Sequence, residues 1–288
     1  MTRIHSTDLA EWTGLIDVEL AAIIGAWSPR TPARLQGSLE HTLLLPGKRI
    51  RPLMAMVTFA ACGRKPTAIL RPACALELYH AGSLILDDLP SMDNAGKRRG
   101  AETNHVLFGE STAILASAGL WVEGYRLLAE TGVHGTALCG ATSRLLGGDG
   151  LVAGQYADLN QFDRSVTIDE LLECYRLKTA ALFRLAAYYA AVLAEAPDED
   201  VEGLDRFATI VGTAFQVRDD ILDDDDASGK DAGKDGDNAK PNVVTLLGAD
   251  GARDLLASQM SAASEVLERL GTAIDVVNFE VLLDKLAI

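Results

Sequence analysis

Positive charge is scarce in this 288-residue chain, where 26 Lys and Arg stand against 41 Asp and Glu and the formal charge is -15. Nucleic acids and anionic membrane surfaces are bound by basic patches that release counterions, so this balance argues against both as partners. Cysteine is equally sparse. Cys62, Cys74, Cys139 and Cys174 are scattered without a Cys-x-x-Cys pair, which reads as reduced, buried small hydrophobes and disfavours a disulfide scaffold or a zinc site. Uncharged runs stop at about a dozen residues where a membrane span needs roughly 20, and the basic-then-apolar layout of a signal peptide is missing. The expectation is a cytoplasmic protein with no stable membrane anchor. Alternating β-branched runs joined by hairpin turns are also nearly absent, and no repeat recurs at a fixed period.

What is present is helical periodicity. Leu9, Trp12, Leu15, Ile16, Leu20, Ile23, Ile24 and Trp27 recur three or four apart over 8–27, with Asp8 as a candidate cap and Glu11 three residues on. Similar patterns predict helices over 33–45, 52–62, 67–88, 104–130, 134–146, 150–163, 168–195, 199–224 and 250–287, and Thr167 with Glu170 forms a capping box. With 48% hydrophobic content, the chain is expected to fold as an all-α, single-domain helical bundle over residues 1–288. The segment 223–242 is polar, Gly-rich and free of large apolar side chains, and is expected to be a mobile loop.

Two acidic segments end apolar helical stripes. Ala73, Leu76, His80 and Leu84 lead at helical spacing to Asp87, with Asp88 beside it; Pro90 then breaks the helix, so Asp93 must return from the following turn. In the same way Val201, Leu204, Ala208, Val211 and Phe215 lead to Asp219, with Asp220 adjacent and Asp223 four residues on. Burying several carboxylates without partners is very costly, and divalent cations remove that cost. Oxygen ligands with no His or Cys in the segments favour magnesium, which bridges carboxylates to substrate phosphates. No glutamate closes a 12-residue calcium loop at 223–235, and Gly229-Lys230 and Gly233-Lys234 lack the Ser or Thr of a P-loop.

The few cations cluster. Lys48, Arg49 and Arg51 follow Gly47; Lys97, Arg98 and Arg99 follow the first acidic segment; Lys178 with Thr179 lies mid-helix; Lys230, Lys234 and Lys240 punctuate the polar loop. Arginine forks and lysine charges suit diphosphate oxygens, and beside magnesium-type carboxylates they favour a diphosphate substrate. Glu77-x-x-His80 and Glu102-x-x-His105 also offer the carboxylate–histidine pair of ferritin-like di-iron bundles. Pro90, Gly96 and Gly100 between the pairs make two long facing helices hard to build.

Gly47-Lys48-Arg49-Ile50-Arg51-Pro52, Asp87 to Asp93 followed by Arg98-Arg99-Gly100, Gly154-Gln155-x-x-Asp158-Leu159, Lys178-Thr179 and Phe215-Gln216-x-x-Asp219-Asp220-x-x-Asp223 together resemble the trans-prenyl diphosphate synthases. Among these the chain is most similar to the geranylgeranyl diphosphate synthases of bacterial carotenoid pathways. The resemblance implies an all-α fold around a central cavity, three magnesium ions and a homodimer. It also implies that Asp87, Asp88, Asp93, Asp219 and Asp223, with outer-sphere help from Asp220, serve the metals that hold the allylic diphosphate. Arg98, Lys178, Lys230 and Lys240 are implied to neutralise that group, and Gly47, Lys48, Arg51, His80 and Arg99 to hold isopentenyl diphosphate. Thr179 and Gln216 are implied to line the reacting centre. Pro46, Tyr175 and Asn242 depart from the residues usual in the family, which bears on substrate detail. A catalytically silent partner subunit would be expected to carry damaged Asp motifs, and a terpene cyclase to lack the Gly47 to Arg51 segment.

Product length is expected to depend on what lies below the metals. Gly82 stands five residues before Asp87, roughly 7.5 Å down a helix, with Ser83 beside it. A mid-helix glycine reads either as open space or as a close helix contact. In the family a small residue here resembles the twenty-carbon makers.

Overall fold

The structure is a computed structural model that describes residues 4–27, 29–160, 166–228, 241–270 and 274–286. Its helices are α1 (Ser6–Gly25), α2 (Ala33–Leu43), α3 (Ile50–Ala61), α4 (Leu70–Asp87), α5 (Asn104–Phe108), α6 (Glu110–Ala129), α7 (Gly135–Leu146), α8 (Leu151–Asn160), α9 (Ile168–Lys178), α10 (Ala180–Ala194), α11 (Asp198–Ser228), α12 (Val243–Leu270) and α13 (Val277–Leu286). The fold is all-α, as the periodicity implied.

α3, α4 and α10 are the inner helices. Along α4 apolar and small side chains from Pro72 to Ile85 are buried on almost every face, and α10 is similarly enclosed from Ala180 to Ala194. A helix that is apolar all round belongs inside a bundle. α6, α1, α2 and α3 pack on α4, while α11, α7 and α9 pack on α10. A second, smaller core of Leu171, Tyr175, Val217, Ile221, Val243 and Ala252 ties α9, α11 and α12 together.

The predicted segments break where the backbone requires it. The stretch 104–130 is two helices, because Gly109 sits at φ +80 between α5 and α6. The stretch 168–195 bends by 46° between α9 and α10. The last predicted segment begins earlier, at Val243, kinks at Gly248 (φ 72) and is followed by a separate α13. Asp8 is not the first cap; it lies in the first turn of α1, where its carboxylate accepts the His5 N–H at 2.7 Å. The Thr167–Glu170 capping box is present at the start of α9.

Lys97–Arg98 (β1) and Ala101–Glu102 (β2) form a small antiparallel hairpin. Arg99 and Gly100 make its turn with φ 51 and 80, the doubly left-handed geometry of a two-residue hairpin. Glu102 therefore lies on a strand and His105 on the five-residue α5, so they are not a helical metal-binding pair.

No single helix is long and apolar enough to cross a membrane among the described residues. The polar segment expected to form a loop from 223 is still helical to Ser228, where α11 ends, and its part from Gly229 to Lys240, with Lys230, Lys234 and Lys240, lies outside the described residues.

Candidate active site

A cavity of about 1010 Å³ opens among α3, α4, α8, α10 and α11. Both acidic segments reach it, since Asp87 and Asp93 line one side and Asp219 and Asp223 the other. Asp93 gets there as its sequence required. After Pro90 the chain turns through Asn94 at φ 50, and the Asp93 N–H donates to the Asp87 carbonyl at 2.9 Å. Desolvation raises the Asp87 carboxyl to about 6; Lys178 opposes that rise and Asp93 adds to it. Asp219 is also raised, chiefly by burial, against the lowering effect of Arg218, whose Nη1 donates to Asp219 Oδ1 at 2.9 Å.

The second aspartate of each segment is turned away. Asp88 is 2% exposed and accepts Arg98 Nε on both oxygens, at 2.8 and 3.0 Å. Asp220 is 6% exposed and accepts hydrogen bonds from Tyr175, Gln216 and the Val243 N–H. Neither lines the cavity. Asp88 thereby aims Arg98, and Asp220 joins three helices.

The cations converge from four elements. Arg49, at φ 50, buries its guanidinium against Asp17 and Glu77 at 2.7 Å each and bonds the Leu45 carbonyl. That tie holds the Gly47–Lys48 loop at the cavity mouth. Arg51 enters from the first turn of α3 and lies 5.2 Å over the Phe183 ring. Its buried Nε has no hydrogen-bond partner, and burial lowers its pKa to about 10 despite Glu77 and Asp219. A desolvated, incompletely satisfied guanidinium is suited to an anion. The hairpin turn sends Arg98 to Asp88 and Arg99 to the Pro46 carbonyl. A Cβ at Gly47 would lie 2.9 Å from Arg99 Nη1, so glycine there makes room for the arginine. His80 also lines the cavity, and burial together with Arg51 and Arg99 holds its pKa well below the ordinary value.

Lys178 and Thr179 sit at the α9–α10 bend, gripped by two glycines. A Cβ at Gly154 would come within 2.4 Å of the Lys178 nitrogen, and one at Gly212 within 2.6 Å of the Ala180 Cα. α8 and α11 can therefore close on this bend backbone to backbone. Gly154 admits α8, Asp158 one turn later holds Lys178 Nζ at 2.7 Å, and Gln155 faces the cavity with both amide atoms buried and unpartnered. Thr179 Oγ1 donates to Gln216 Oε1 at 2.9 Å. Arg218 and the apolar wall of Leu151, Leu182 and Phe215 were not singled out as site residues from sequence. Arg218 was findable as the neighbour of Asp219.

Gly82 corrects an expectation. It faces α6, not open space: a Cβ there would meet Trp121 Nε1 at 2.3 Å, and Ser117 Oγ donates to the Gly82 carbonyl at 2.8 Å. The close-contact reading of this glycine holds, and Ser83 is the neighbour that lines the cavity. A separate groove of about 880 Å³ is lined by cations and carboxylates that pair with one another, Arg176 with Glu173 and Arg184 with Asp205.

An all-α bundle whose inner cavity gathers carboxylates from the end of α4 and from α11 beside Arg49, Arg51, Arg98, Arg99 and Lys178 is suited to phosphorylated substrates. A family profile described as polyprenyl synthetase matches residues 32–276. The chain is 39% identical over 245 residues to a farnesyl diphosphate synthase of Geobacillus stearothermophilus, covering 82% of each protein. It is 40% identical over 261 residues to a geranylgeranyl diphosphate synthase of Pseudescherichia vulneris, covering 88% of this chain and 83% of that one. Among solved structures, a geranyltransferase from Legionella pneumophila superposes with a TM-score of 0.85 at 26% identity, covering 97% of this chain and 95% of that one. The chain belongs to the polyprenyl synthetase family and is a trans-prenyltransferase.

Proposed function

We propose that the chain condenses isopentenyl diphosphate with an allylic diphosphate and that its product is geranylgeranyl diphosphate. The observation that carries this reading is that Asp87, Asp93, Asp219 and Asp223 line one cavity with Arg51 and Lys178. The donor set fits magnesium: it is hard oxygen throughout, and the raised carboxyls of Asp87 and Asp219 are those of groups that gain from a bound cation. Asp87, Asp93, Asp219 and Asp223 would hold it, and when bound it neutralises charge on the departing diphosphate.

The chain's own residues divide the rest. Lys178, held by Asp158, and Arg98, held by Asp88, meet the allylic diphosphate. Lys48, Arg51 and Arg99, with neutral His80, meet the diphosphate of the isopentenyl substrate. The allylic carbon–oxygen bond breaks, and the isopentenyl double bond attacks the resulting cation beside Thr179 and Gln216. A proton then leaves to the released diphosphate, so no protein base is required. The buried, fixed cations act where charge develops. Ser83, a small side chain on the cavity wall one turn below Asp87, supports the twenty-carbon reading, because no bulky side chain stands at that position.

Asp87→Ala or Asp219→Ala is expected to abolish turnover while the melting temperature stays within a few degrees of wild type. Near-normal activity with magnesium in either variant would remove this site assignment. An apolar face of α5 and α6 supports a homodimer: Ile114, Leu115 and Val122 are 47%, 61% and 70% exposed, with Val106 and Leu107 nearby.

A further inference from the structure

The hydrogen bonds around Asp220 run in one direction, and that direction reaches the cavity. Oδ2 of Asp220 accepts from the Tyr175 hydroxyl and, at 3.1 Å, from the Val243 N–H; Oδ1 accepts from Gln216 Nε2 at 3.1 Å. With the Tyr175 hydroxyl and the Val243 N–H both on Oδ2, the Gln216 amide presents its nitrogen to Oδ1. Its oxygen then faces Thr179, whose single hydroxyl proton goes to it at 2.9 Å. Only lone pairs of Thr179 Oγ1 remain for the cavity.

We propose that Asp220 is a positioning residue that sets the polarity of Gln216 and Thr179, so that the reacting carbons meet an acceptor oxygen and not a hydroxyl proton. The inference rests on the prenyl-transfer reading, in which positive charge develops on the allylic carbon. An oxygen with its lone pairs turned inward stabilises that charge, whereas an O–H dipole turned inward opposes it. Tyr175 and Val243, the first residue of α12, lock the carboxylate from behind, and both lie in the smaller apolar core. The position of Asp220 in Asp219-Asp220-x-x-Asp223 suggests instead a share in metal binding. Its burial and its full set of donors argue for the relay.

The discriminating variant is Asp220→Asn, nearly isosteric but able to donate, so that the Gln216 amide can reverse. Expected is a kcat about tenfold to a hundredfold lower, with the KM values for both diphosphates and the half-maximal magnesium concentration within about twofold of wild type. Gln216→Met breaks the same relay without touching the carboxylate, and is expected to reproduce the kcat loss even where Asp220→Asn fails to fold. Tyr175→Phe leaves the polarity intact and is expected to keep kcat within about threefold. Recovery of wild-type kcat by Asp220→Asn at high magnesium would overturn the proposal in favour of a metal role. Wild-type kcat in the Gln216→Met variant would overturn it as well. Failure of the wild-type chain to transfer a prenyl group would instead overturn the function reading, which the same assays show separately.

Discussion

Asp87 is the cavity carboxyl whose charge state depends most on burial. Its carboxyl is raised from 3.8 to about 6, so between those values the folded, metal-free protein keeps a proton that the unfolded chain has lost. Stability from this group is therefore lost as pH rises through that window, and under the proposed function magnesium would offset the loss once the carboxylate is ionised. Thermal melts with and without magnesium are expected to show a larger metal-induced increase at pH 7.5 than at pH 5, and Asp87→Asn is expected to flatten that difference. Equal increases at both pH values would contradict the coupling. Ser83 and Gly82 divide differently. Ser83→Phe places a ring on the cavity wall and is expected to shorten the main product by at least five carbons. Gly82→Tyr must displace Trp121, and is expected to lower the melting temperature by several degrees. A product profile from Ser83→Phe identical to wild type would remove Ser83 from length control. Sequence spacing from Asp87 singled out Gly82, but could not say which way it faced, because side-chain direction one residue apart differs by about 100° on a helix.

Among the elements, the α9–α10 bend does most to build the site. It places Lys178 and Thr179 in the cavity, and Gly154 and Gly212 let two neighbouring helices close on it. Gly154→Ala would press a methyl against backbone that cannot swing aside. It is expected to cost about 1–3 kcal/mol and to lower kcat by displacing Lys178, as read by denaturant melts and steady-state rates; unchanged values for both would refute the contact. The helical stripes leading to Asp87 and Asp219 were legible from sequence because 3.6-residue spacing continues straight into the carboxylates. The inward placement of Asp87 and Asp219, against the buried, outward engagement of Asp88 and Asp220, was not legible, since adjacent aspartates look alike until their partners are known. The Arg98–Arg99 hairpin was invisible for another reason. Its turn uses a left-handed arginine before Gly100, whereas the strong hairpin signal is Asn-Gly or Asp-Gly.

At the scale of the molecule, the main bundle supplies Asp87 and the Arg51–His80 side of the cavity, and the smaller core of α9, α11 and α12 backs the helix carrying Asp219 and Asp223. The all-α class and the pairing of two distant acidic segments followed from hydrophobic pattern and charge. Their convergence on a single cavity required the fold. The exposed α6 face is expected to pair two copies, and Leu115→Glu with Val122→Glu is expected to halve the mass found by light scattering; a wild-type chain that is monomeric at all concentrations would contradict this. Relatives of nearly equal identity carry names of both fifteen- and twenty-carbon synthases, so the product of the cavity decides between them. The most direct measurement is to incubate the wild-type protein with isopentenyl diphosphate, magnesium and each allylic starter in turn, and to identify the products by chromatography and mass spectrometry. The expected result is geranylgeranyl diphosphate as the main product from every shorter starter. Accumulation of farnesyl diphosphate alone would contradict the twenty-carbon reading, and no prenyl product with any starter would contradict the site itself.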